Sequence, residues 1–91
     1  MKIVWDEPKR RTNLADHGLD LADAEFFDWD AALVLPGHRG ADERQRYRAI
    51  GWLDDELVAI VFAPLGSEAV SVISMRPASR QERRLHAERQ A

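Results

Sequence analysis

Between residues 31 and 75 most of the chain falls in four short runs of strand-forming residues, AALVL, RQRYRAIGWL, ELVAIVF and AVSVISM. What lies between them restricts the fold more than anything else in the sequence. The connections are Pro36-Gly37 with the polar stretch HRGADE, then Asp54-Asp55, then PLGS. None is long enough for the crossover of about a dozen residues that parallel neighbours require. Runs joined by turns pair antiparallel, so the strand from Arg44 to Leu53 is expected beside Glu56–Phe62. ELVAIVF is the most apolar run, which places it at the centre of the sheet.

The flanking segments read as one more strand and three helices. KIVW at residues 2–5 is short, apolar and β-prone. Asp6 can cap a helix whose first turn holds Glu7 and Pro8, where an acid suits the dipole and a proline forfeits no hydrogen bond. That helix ends at His17, because Gly18 accommodates the left-handed conformation past a helix end. A second helix follows, capped by Asp20, with Leu21, Ala24 and Phe27 as its apolar stripe. Ser79 and Glu82 form a capping box for a C-terminal helix. The expected order is β-α-α-β-β-β-β-α. This is an α+β fold, a small antiparallel sheet with the two N-terminal helices on one face and a C-terminal helix.

A length of 91 residues fits one domain spanning the whole chain. The chain has no cysteine, which removes disulfides, thiolate zinc sites and a cysteine nucleophile. No apolar run follows the first charge, as a signal peptide would need, and none approaches the roughly 18 residues of a membrane span. A soluble cytoplasmic protein without membrane association is expected. The net charge of −3 is unevenly spread. Residues 1–30 carry four Lys/Arg against eight Asp/Glu, whereas residues 61–91 carry five against three. A nonspecific nucleic-acid binder is usually basic throughout, so any polyanion contact here must be local.

The basic residues gather in two places. In a strand, Arg44, Arg46 and Arg48 share one face, and Ile50 and Trp52 continue it. Such a row is either a solvated face paired with nearby acids or a stripe for phosphate, whose oxygens match the guanidinium fork. Arg76 and Arg80 stand where the last strand meets the last helix, a position from which a sheet presents groups to ligands. That helix has little apolar surface, so it is expected to dock loosely, with Arg83, Arg84 and Arg89 toward solvent or a partner. On the first helix Lys9, Asn13 and His17 recur every four residues. They are either a wet helix face or a cation, an amide and an imidazole able to hold a phosphate and move a proton. The three histidines are scattered, so no metal site is expected, and no nucleotide-binding or hydrolase motif appears. No cofactor is implied.

Taken together, three segments resemble the BrnT family of ribonuclease toxins. IVWDEPKRRTNLADHGLD is similar to the family's opening, with its WD, Lys9, Asn13 and the HG at 17–18. ERQRYRAIG is similar to its ER…IG segment, and VISMRPASRQERR to its IISxRxAxxxE close. The resemblance implies a RelE-like fold, a type II toxin–antitoxin pair and endonuclease action on RNA. It also implies a ribbon-helix-helix antitoxin as partner, DNA contacted only through that antitoxin, and a homodimer or 2:2 complex. Where family members carry Thr-x-Arg after the central strand, this chain has Ala63-Pro64-Leu65.

Metal-free RNA cleavage needs a base for the 2′-OH, an acid for the leaving 5′ oxygen and cations on the phosphate. Arg44, Arg46 and Arg76, with Arg80, would supply the cations. Glu43 or His17 would be the base, with His17, Lys9 or an arginine as acid. Lys9, Asn13, Arg46 and Arg48 would bind RNA. The alternative is a catalytically weak homologue that serves as an antitoxin-binding or co-repressor module.

Overall fold

The computed structural model describes residues 1–90. Its elements are β1 (Lys2–Trp5), α1 (Glu7–His17), a 3-10 helix η1 (Leu21–Phe26), β2 (Leu33–Arg39), β3 (Gln45–Leu53), β4 (Glu56–Leu65), β5 (Ala69–Pro77) and α2 (Arg80–Gln90). The strands form one mixed five-stranded sheet in the order β1-β5-β4-β3-β2. No helix among the described residues is long and apolar enough to cross a membrane.

The hairpins follow from their turns. β3 and β4 pair antiparallel from Tyr47↔Phe62 to Leu53↔Glu56, closed by Asp54 in the left-handed region at φ 54°. Aspartate tolerates that region better than most residues because its short polar side chain bonds locally. β4, the most apolar run, occupies the middle of the sheet. Two strands are longer than their turn residues suggest. β2 continues through Pro36-Gly37 to Arg39, with a register shift between Pro36 and Arg39. It is an edge strand, where a proline removes no ladder hydrogen bond. β4 likewise runs on through Pro64 to Leu65, opposite Ala69.

The sheet is not wholly antiparallel, as the turn lengths suggested, because β1 pairs parallel to β5, with Lys2↔Ala69 through Trp5↔Val72. The short-turn argument governs neighbours in sequence, and these two strands come from opposite ends of the chain. The second N-terminal helix is a six-residue 3-10 segment capped by Asp20, whose carboxylate accepts from Ala22 N–H at 2.9 Å.

The main core lies on the η1 side of the sheet. Leu21, Ala24 and Phe27 pack there on Ala49, Leu53, Val58, Ile60, Phe62, Val72 and Met75. The Phe27 ring lies so close to Gly51 that a Cβ there would come within 2.8 Å of it, so this glycine is required by packing. The opposite face is thinner. Ile50, Leu57 and Ala59 form a small cluster with Ala78 at the foot of α2.

Asn13 joins α1 to β5. Its Nδ2 donates to the backbone oxygens of Leu19 and Met75, both at 2.8 Å, and its Oδ1 accepts from Met75 N–H at 3.0 Å. The residue is 6% exposed. Its amide is spent on backbone, which corrects its reading as an RNA contact. Asn13→Ala leaves a buried N–H and two carbonyls without this partner, each carrying a penalty of order 1 kcal/mol or more. The expected loss is about 3 kcal/mol of unfolding free energy, read from urea denaturation; a loss below about 0.5 kcal/mol would refute the clamp.

Candidate phosphate-binding cleft

The face that carries α2 divides into two halves. Toward one end it is apolar, built on Ile50, Leu57 and Ala59. Toward the other, period-two alternation brings Arg46 and Arg48 of β3, Val61 of β4 and Arg76 of β5 to a cleft of ≈ 390 Å³, closed at the side by Pro36, Gly37 and His38 of β2. The bulged continuation of β2 past its proline is what carries His38 there. This histidine had no partner in the sequence reading because its segment read as loop.

Glu82 organises the arginines. It lies in the first turn of α2, and its side chain is only 2% exposed. Oε1 accepts from Arg76 Nη1 at 2.7 Å and from Ser79 N–H at 2.8 Å. Oε2 accepts from Arg76 Nη2 at 3.0 Å and from Arg48 Nη1 at 2.9 Å. The Ser79 hydroxyl accepts from Glu82 N–H at 3.1 Å, completing the capping box expected from the sequence. The same carboxylate therefore caps its own helix and grips guanidiniums from two strands. Burial by itself would raise its pKa. The hydrogen bonds from Arg76 and the Ser79 N–H, with the charges of Arg76 and Arg48, outweigh that and hold it at about 2. The same hydrogen bond to Glu82 raises the pKa of Arg76.

The structure separates residues that the sequence placed together. Arg44 lies before β3, exposed, its N–H bound to Asp42 Oδ1 at 3.0 Å, and outside the lining of the cleft. Glu43 is an exposed loop residue at φ 62°, outside the lining of the cleft. Arg80 is exposed at the start of α2 and also outside that lining. Lys9 and His17 border a second cleft of ≈ 320 Å³, with Thr12, Asp16 and Ser74. Ser74 is the cross-strand partner of Val61, so the two clefts are neighbours on one face.

The last helix is also better anchored than its composition suggests. His86 is buried, its ring edge-on to Trp52 at 6.2 Å, with Nε2 lacking a hydrogen-bond partner. Arg89 Nη1 donates to the Ala32 carbonyl. α2 thus docks through Glu82, His86 and Arg89, which correct the expectation of a loose helix. Charge separates across the sheet. A cleft of ≈ 410 Å³ beside η1 is bordered by Glu25, Asp28 and Asp30 and would repel phosphate. Among the described residues, no three His, Asp or Glu side chains converge as a metal would need.

Residues 5–82 match the family described as ribonuclease toxin, BrnT, of type II toxin–antitoxin systems. The chain is also similar to the crystal structure of the Brucella abortus ribonuclease toxin, BrnT. The identity is 53%, with 88% of this chain and 99% of that chain covered, at a TM-score of 0.70. None of the curated proteins matches the chain.

The depressed pKa of Glu82 has a definite sign. Its folded value of about 2 lies below the ordinary 4.5, so its contribution is fully present above about 4.5 and is lost as pH falls toward 2. At about 1.4 kcal/mol per pKa unit, that contribution is at most about 3.5 kcal/mol. Urea midpoints followed from pH 6 to pH 2 should fall more steeply for the parent than for Glu82→Gln. Parallel curves would show that the carboxylate is not held this way.

Proposed function

We propose that this chain, which belongs to the BrnT family of ribonuclease toxins of type II toxin–antitoxin systems, is a metal-independent endoribonuclease acting in the cytoplasm as a single RelE-like domain. The observation that carries the reading is the convergence of Arg46, Arg48 and Arg76 on one open cleft. Three guanidiniums from two strands suit a single anion with several oxygens, and a phosphodiester is such an anion. The ribose 2′-OH attacks the adjacent phosphorus, the P–O5′ bond breaks, and a 2′,3′-cyclic phosphate and a 5′-OH result. The guanidiniums bear the charge that gathers on the phosphate oxygens, and preorganised donors of this kind contribute about 3–4 kcal/mol each to such barriers.

Proton transfer falls to the imidazoles that border the two adjoining clefts. His38 stands beside the arginines, and His17 stands beyond Ser74 with Lys9. Imidazole is suited to both taking and returning a proton near neutrality. Glu43, Arg44 and Arg80 lie outside the cleft and would reach RNA only as outlying contacts. The partner we propose is a ribbon-helix-helix antitoxin, in a 2:2 complex that touches DNA through the antitoxin. A weak-homologue reading keeps two specific supports. Glu82 already neutralises part of the charge of Arg48 and Arg76, and Leu65 stands where the family's arginine was expected.

The experiment is cleavage of an RNA oligonucleotide by the purified chain, with chelator present. Arg46→Ala should lower kcat/KM by about 100-fold. It should also flatten the plot of log binding constant against log salt by roughly 0.7 for single-stranded RNA. RNA left intact by the parent chain would favour the weak homologue.

A further inference from the structure

Arg48 and Arg76 stand on β3 and β5, with β4 between them. Strands two apart are separated by roughly 10 Å, and each guanidinium sits on a long stem that costs rotamer entropy to fix. Two such cations repel and would splay toward water. Glu82 prevents this. It binds Arg76 through a two-pronged fork at 2.7 and 3.0 Å and Arg48 through one bond at 2.9 Å, reaching both from α2. With the Ser79 N–H bond at 2.8 Å, four donors meet the two carboxylate oxygens. The roughly four lone-pair sites of a carboxylate are then filled. Glu82 has no capacity left for a substrate proton or hydroxyl. Arg48 and Arg76 each keep N–H groups beyond those it engages, and both side chains are 36% exposed.

We propose that Glu82 is a positioning residue for RNA cleavage, tying Arg48 of β3 and Arg76 of β5 into one clamp that spans β4 and receives a phosphodiester. The proposal rests on the ribonuclease reading above. It makes α2 part of the active site through a carboxylate that does not itself touch RNA. The carboxylate lowers the net positive charge of the cleft by one and, in exchange, fixes where the two guanidiniums point. Binding and catalysis therefore respond to its loss in opposite directions, which a helix cap alone would not produce.

The test is Glu82→Gln in the full chain. Glutamine still serves as a capping-box partner, but it carries no charge to hold two guanidiniums. The reference is Ser79→Ala, which removes the cap hydroxyl and leaves the carboxylate and both arginines in place. An RNA oligonucleotide is used in single-turnover cleavage and in binding at several salt concentrations. The expected result for Glu82→Gln is tighter RNA binding with a steeper salt dependence, together with a cleavage rate at saturating protein lower by about tenfold or more. Ser79→Ala should keep the parental cleavage rate. If Glu82→Gln does not fold, Glu82→Asp carries the test. It keeps the charge but shortens the reach by one methylene, and should lower the saturating rate while leaving RNA affinity near parental. A parent chain that cuts no RNA overturns the ribonuclease reading and this proposal with it. A parent that cuts RNA while the Glu82 variants cut equally fast overturns the proposal alone. Faster cleavage by Glu82→Gln also overturns it, and shows instead that the carboxylate competes with RNA for the arginines.

Discussion

A buried backbone cannot be left without hydrogen-bond partners, and here that rule bears hardest on β5. One side of β5 is covered by β4 along its length. The other side is covered by β1 only from Ala69 to Val72. Beyond that point the N–H and C=O of Met75 would be bare. The Asn13 amide takes both, acting as one residue's worth of missing strand. This fixes where α1 lies along the sheet edge. Lys9 and His17 are one turn to either side of Asn13, so the same contact brings them beside Ser74 at the margin of the arginine cleft. A helix held elsewhere would leave the two clefts apart.

What could be read from the sequence was local. The β3–β4 hairpin, the Asp6 and Asp20 caps, the Gly18 helix stop and the Ser79–Glu82 box each depend on residues a few positions apart, and each is present. The parallel pairing of β1 with β5 left no local trace, because it joins the two ends of the chain. His38 was hidden by the rule that proline and glycine end a strand, which fails at an edge where a lost donor faces no neighbour. The site was legible in its cations and not in its anion. Arg46, Arg48 and Arg76 declare themselves by alternation and by position, whereas Glu82 read only as a helix-capping residue, with nothing in its spacing to connect it to two distant strands. The three-arginine row lost Arg44 for an equally local reason: the strand begins one residue later, after the left-handed turn at Glu43.

The acidic total charge and the basic cleft are compatible because the sheet separates them. Acids cluster around η1 on one side, and the arginines gather on the other. A polyanion approaching such a surface is turned by the field before contact and meets the arginine side first. Acids so placed would orient an approaching polyanion rather than merely lower its affinity.

The anchoring of α2 separates its stability from that of the sheet. The helix is held by a carboxylate between two arginines, a histidine ring on Trp52 and an arginine on a carbonyl, on the face that carries the smaller apolar cluster of Ile50, Leu57, Ala59 and Ala78. Its detachment would uncover less hydrocarbon than opening of the main core, so it would add less heat capacity and respond less to urea. It would also break charged contacts, and so respond to ionic strength. Amide protons of α2 should then exchange with solvent through a local opening, while those of β3, β4 and β5 wait for the whole molecule to unfold. The helix is in this sense the less secure part of the molecule, tied to the sheet through Glu82, His86 and Arg89.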